Sequence, residues 1–172
     1  MGGDTKSVVA GAAIGAALGG VGGYALGSTV ASRKQKYIND EDRLNGEIQV
    51  FEKYNTDLEA FNKQTAFKIQ TLNQQLADIN AQSVSTKDRV ISLQNKQTEI
   101  KKWISEGNQR EGLIIKELAG IEDDQKRLNQ LPDQAKVAKL NQEVSTLKQK
   151  IAELDSQNTQ MAKLSESMVL RK

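Results

Sequence analysis

The residues able to do chemistry in this chain are few, and their spacing argues against a catalytic centre. The 172 residues include no Cys and no His. That removes disulfides, thiol nucleophiles, imidazole bases and the common zinc ligand sets. The carboxylates closest in sequence are the adjacent pairs Glu41–Asp42 and Asp123–Asp124. Adjacent residues point apart on a helix, so both pairs read as solvated faces rather than as an acid and a base. Lys101–Lys102 reads as helix surface in the same way. The glycines form no phosphate loop, since no GxxxxGK[ST] run follows a strand. The sequence therefore predicts a protein that is not an enzyme and takes neither a cofactor nor a metal.

What spacing does organise is glycine. Gly11, Gly15, Gly19, Gly23 and Gly27 recur at every fourth position of an uncharged stretch, VVAGAAIGAALGGVGGYALGSTVA, residues 8–31. Positions four apart share one helix face, so these glycines predict a helix-packing stripe without side chains. In water each glycine costs a helix about 1 kcal/mol relative to alanine. In a bilayer, rows of small residues are what helices use to pack. As a helix the stretch would reach roughly 36 Å, enough for a hydrocarbon core of ~30 Å. Arg33, Lys34 and Lys36 follow with Tyr37, and Lys6 precedes; cations and an aromatic in these places suit a membrane interface. The reading is a flexible N-terminus over 1–7 and a glycine-zipper transmembrane helix over 8–32.

The segment AGAAIGAALGGVGGYALG resembles the glycine-zipper domain of bacterial envelope and membrane proteins. The likeness covers residues 8–31. It implies a location in a bacterial cell envelope, with membrane lipid, further copies of the chain and other envelope proteins as partners. Many members carry two such segments as a hairpin. This chain has one, which moves the pairing onto other copies and predicts a homo-oligomer of more than two. The net charge of +2, with both signs interspersed, offers no clustered basic face for nucleic acid.

Beyond residue 33 the composition changes to Gln, Asn, Lys and Ala, with 4% aromatics and one proline in the whole chain. That is the signature of long helices and an all-α fold. From Ile48 onward apolar residues recur at a 3.5-residue period. One column runs Phe51, Leu58, Thr65, Leu72, Ile79, Thr86, Leu93, Ile100, Gly107, Ile114, Ile121, Leu128. The other runs Ile48, Asn55, Asn62, Ile69, Leu76, Ser83, Val90, Gln97, Ile104, Glu111, Leu118 and Gln125. The period is that of a left-handed coiled coil. It predicts one long helix over 33–131, bent or frayed near Gly107, with Trp103 shielding the seam edge. The amides Asn55, Asn62, Gln97 and Gln125 fall on the seam, where such residues fix register or line a wet interior. The stretch Ser85-Thr86-Lys87-Asp88 resembles a helix start, yet unbroken heptad phase argues for continuity.

Pro132 lacks an N–H and restricts the residue before it. A new frame then begins at Val137 and runs through Leu140, Val144, Leu147, Ile151, Leu154, Asn158 and Met161. A second coiled-coil helix is expected over 132–172, joined by a kink or, by the short-connection rule, an antiparallel hairpin. The functional expectation is a membrane-anchored, homo-oligomeric structural protein forming a stalk, ring or tube. The alternatives are a conduit component of a phage or secretion machine and a tethered coiled-coil module that binds a partner protein.

Overall fold

The protein is described by a computed structural model covering residues 39–81 and 86–168. Three α-helices make up this part: α1, Asp40–Ala81; α2, Thr86–Leu128; and α3, Gln134–Ser167. No strand occurs among the described residues, so the all-α class holds. The expected single helix over 33–131 is instead two, with Ala81 and Thr86 as the facing ends. The heptad count is blind to this difference, because a period records which side of a helix is apolar and not which way the helix runs.

No helix among the described residues is long and apolar enough to cross a membrane. The expected membrane-spanning coiled-coil assembly is corrected accordingly to helices packed as a three-helix bundle within one chain. The glycine-rich segment over 8–32, its stripe Gly11, Gly15, Gly19, Gly23 and Gly27, and the flanking Lys6, Arg33, Lys34, Lys36 and Tyr37 lie outside the described residues.

The helix ends follow from local chemistry. The Asn39 side-chain oxygen accepts the Asp42 backbone N–H at 2.8 Å, an N-cap. Asp40, Glu41 and Asp42 fill the first turn of α1, and Lys126 and Arg127 the last turn of α2. Both placements complement the helix dipole. After Leu128 the chain tightens, with Gln130 N–H bonding to the Arg127 carbonyl and Leu131 N–H to that of Leu128, each at 3.1 Å. Pro132 then bars continuation. Asp133 caps α3 by accepting the Lys136 N–H at 3.0 Å. The joint is the fold-back, since Gln125 of α2 reaches Asn141 of α3 at 2.8 Å.

The chain divides into two compact units, one drawn from residues up to Asp57 plus Lys116–Ser145, the other from Leu58–Ile115 plus Thr146 onward. Each holds a segment of all three helices. In the first, Arg127 pairs with Asp40 at 2.9 Å and Arg43 with Asp124, so α2 runs antiparallel to α1. Lys139 pairs with Glu52 at 2.6 Å and Asn55 bonds to Glu143, so α3 runs parallel to α1. Leu44, Phe51, Leu128 and Leu140 are buried in its core. In the second unit, Trp103 bonds to Thr65 and Lys68 to Glu99, the same antiparallel sense. Leu58, Leu72, Ile100, Leu147, Leu154 and Met161 are buried there. The seams expected to meet other copies thus meet one another. Two partners per helix need a wider apolar stripe than a coiled-coil seam. The column preceding the Ile48 series supplies it, with Tyr54, Phe61 and Trp103 all buried.

Gly107 does not fray α2, which runs unbroken through it. The glycine admits a neighbour. A Cβ at this position would lie 2.9 Å from the side-chain oxygen of Asn158 and 3.0 Å from its nitrogen. That amide in turn donates to Asn108 at 3.0 Å. Gly107→Ala is therefore expected to destabilise the protein although alanine favours helix. In an Asn158→Ala background the same change should stabilise by up to about 1 kcal/mol. Urea titrations of the four proteins of this cycle, followed by circular dichroism, provide the check.

Candidate functional site

The densest cluster of chemically distinctive side chains lies in the second unit and spans α1 and α2. Phe61 and Trp103 stack with ring centroids 5.3 Å apart and planes 6° from parallel. The Arg110 guanidinium lies 4.7 Å from the Phe61 centroid, and the Lys68 ammonium 5.4 Å from that of Trp103. Cations over ring faces contribute roughly 0.5–2 kcal/mol, more where water is excluded. The indole N–H, which needs a partner when buried, donates to the Thr65 hydroxyl at 3.0 Å. That hydroxyl donates onward to the Phe61 carbonyl at 2.9 Å. Thr65, a polar gap in the heptad column, is thereby accounted for. Lys68 also pairs with Glu99, which Lys96 reaches at 3.1 Å. Burial pushes the Glu99 carboxyl up, and the hydrogen bonds from Lys68 and Lys96 outweigh it, leaving a net lowered pKa.

The seam amides form a second group. Asn55 donates to the Glu143 backbone carbonyl at 2.9 Å and to its carboxylate at 2.7 Å. Asn62 donates to the Lys150 carbonyl at 2.9 Å and to Glu153 at 3.1 Å. Gln97 donates to the Ser165 carbonyl at 2.9 Å, and Gln125 to Asn141. All four therefore bond to α3 of their own chain. Sequence reasoning did not single out Phe61, Lys68 or Arg110, and placed Thr65 only as a member of the heptad column. The available signal was the recurrence of Tyr54, Phe61 and Trp103 in one heptad column beside the seam.

The carboxylates placed on solvated faces divide. Glu41 is exposed and bonds to Lys136 at 2.9 Å. Asp124 is not solvated: it pairs with Arg43, and these side chains are 14% and 4% exposed. Glu111, on the seam, has its pKa raised by burial first and by the nearby Asp155 second. No group of three or more His, Cys, Asp or Glu among the described residues is arranged to hold a metal ion.

Two clefts open on the described surface. One, of about 460 Å³, belongs to the first unit and is lined by Leu44, Leu131 and Pro132 beneath Asn39, Asp40, Glu41 and Asp133. Its three carboxylates are already engaged, Asp40 by Arg127, and Glu41 and Asp133 by Lys136. The other, of about 450 Å³, lies in the second unit between Gln75, Asp78, Ile79 and Ser92, Asn95, Lys96.

No known protein family, curated protein or solved structure matches this chain. The site is therefore read from its own geometry: a buried set of amides, aromatics and cations whose polar groups are directed at other helices.

Two outcomes follow from that geometry. Trp103→Ala should cost roughly 3–5 kcal/mol, read as a lower urea midpoint by circular dichroism. The second concerns acid. Lys63 and then Lys150 hold the exposed Glu59 carboxyl down at about 2, against an ordinary 4.5. A lowered folded-state pKa gives stability that is present above the unfolded value and is lost as the pH falls through the folded one. The urea midpoint should therefore drop between pH 4.5 and pH 2, and Glu59→Gln should flatten part of that slope.

Proposed function

We propose that this protein is a non-catalytic structural module, a helical bundle that holds fixed surfaces in place for other proteins. The observation that carries the reading is the pairing of Asn55 and Asn62 with backbone carbonyls of α3. A buried amide adds less stability than a buried leucine, but it tolerates only the register in which its partner is present. A sequence that retains such groups specifies one arrangement of its helices. That serves a spacer or scaffold, for which position is the product. The absence of His and Cys and the engagement of the first cleft's carboxylates by lysine and arginine support a role without turnover. A bacterial envelope remains the setting we favour, on the likeness of residues 8–31 alone.

The competing reading is a module that becomes ordered only on a partner. A chain whose bundle is self-sufficient should unfold in urea in one cooperative step, with no partner present. Trp103, the one tryptophan, reports on the second unit by fluorescence, and circular dichroism reports on all helices. Coincident transitions support the scaffold reading. A chain with little helix until a partner is added would overturn it.

A further inference from the structure

We infer that α1 and α2 can open at their connection and be exchanged between two copies of the chain, giving a two-fold dimer. In that dimer α1 and α2 of each copy would run as one helix. The inference goes beyond the scaffold reading and does not depend on it.

Three observations point to exchange. The first is phase. The buried row Leu44, Phe51, Leu58, Thr65, Leu72 on α1 and the row Leu93, Ile100, Gly107, Ile114, Ile121, Leu128 on α2 keep one seven-residue spacing across the connection. An antiparallel hairpin imposes no such relation, since each helix turns its own apolar face to the other. A continuous helix requires it. The second is the connecting sequence. Residues 82–85 contain neither glycine nor proline, the residues that end helices sharply. The α2–α3 joint has Pro132 and begins a new frame, so only the first connection keeps the heptad phase, although Ser85–Asp88 resembles a helix start.

The third is the centre of the pairing. Asp40 with Arg127, Arg43 with Asp124, and Lys68 with Glu99 are each centred between residues 83 and 84, and Thr65 with Trp103 on residue 84. Two straight helices crossing antiparallel at that point would set Lys68 of one copy opposite Glu99 of the other. The remaining pairs would form likewise. Each α3 stays folded on its own α2 by the short joint, and its bonds to Asn55 and Asn62 become bonds between copies. The closed and exchanged forms then share their contacts and differ in the connection, which is the condition for domain exchange.

The chain has no cysteine, so an introduced pair reports without background. Full-length Lys68→Cys/Glu99→Cys is warmed and cooled at low and at high concentration, oxidised, and run on a non-reducing gel beside light scattering. The expected result is internally bridged monomer at low concentration and disulfide-linked dimer at high concentration. A second variant inserts one alanine between Ser83 and Val84. It turns a continuous helix by about 100° beyond the insertion, whereas in a hairpin it merely lengthens the connection. Its monomer should keep the helix content of the wild type, and its dimer should be at least tenfold weaker. Monomer alone at every concentration overturns the inference. So does a dimer whose disulfides stay within each chain, or an insertion variant that dimerises as well as the wild type. If the cysteine pair prevents folding, light scattering of the wild-type and insertion proteins decides the matter.

Discussion

The constraint on which the rest depends is the pairing of the buried Asn55 and Asn62 amide N–H groups with carbonyls of another helix. Asn55 and Asn62 sit in the α1 seam, 5% and 2% exposed. Each donates to a backbone carbonyl of α3, and both bonds span the same 88-residue separation. Shifting α3 by one residue against α1 would leave these amides facing carbon. The penalty for an unpaired buried amide, about 1–3 kcal/mol, exceeds the gain from making its bond. Apolar contacts between Leu44, Phe51, Leu58 and their neighbours drive the helices together but tolerate neighbouring registers. The amides choose among those registers.

Surface charge selects in a different way. Three α1–α3 ion pairs share one sense, with the carboxylate on α1 and the ammonium on α3: Glu41 with Lys136, Glu52 with Lys139, Glu59 with Lys150. The carboxyls are 41–68% exposed, so each pair adds little stability. Their common direction matters more, because an α3 packed in the opposite sense would not place its lysines at these glutamates. Lys136 and Lys139 have raised pKa values, held first by Glu41 and Glu52 respectively. The α1–α2 contact relies on groups removed from water: Arg43 with Asp124, and the Phe61–Trp103 stack with its two cations. A pair so withdrawn is costly to break from one side, and it ties the two helices more firmly than the ion pairs with exposed carboxylates tie α3.

The sequence made the composition of the core readable and its connectivity much less so. The heptad columns named the residues that are buried, from Phe51 and Leu58 to Ile121 and Leu128, and Pro132 marked the second turn through its missing N–H. The first turn was hidden because the apolar phase runs through it undisturbed, and the capping sequence at Ser85–Asp88 was outweighed by that phase. The amides were legible as seam residues, yet their partners lie 68–88 positions away for Asn55, Asn62 and Gln97, and periodicity carries no long-range pairing. The aromatic cluster was missed for a related reason. A stripe two columns wide suits two helices, and the third column holding Tyr54, Phe61 and Trp103 becomes interior only when each helix has two partners. Gly107 looked like a fault in the seam, and Thr65 is a polar member of the same column. They are the points at which the Asn158 amide and the indole N–H enter it.

The hidden turn bears on function as well as on fold. A designer wishing to fix a hairpin would place glycine or proline between the helices and break the phase, as the joint at Pro132 does. Between α1 and α2 neither device is present, so the closed hairpin is held by tertiary contacts rather than by its connection. Those contacts are indifferent to which chain supplies each helix, because the Thr65–Trp103 bond and the Phe61–Trp103 stack need only an antiparallel neighbour in register. In the exchange inferred above, what separates one copy from two is the connection alone, set against the entropy lost on association. That balance depends on concentration. On that inference, a scaffold built in this way would set its internal geometry by its core and its number of copies by its concentration.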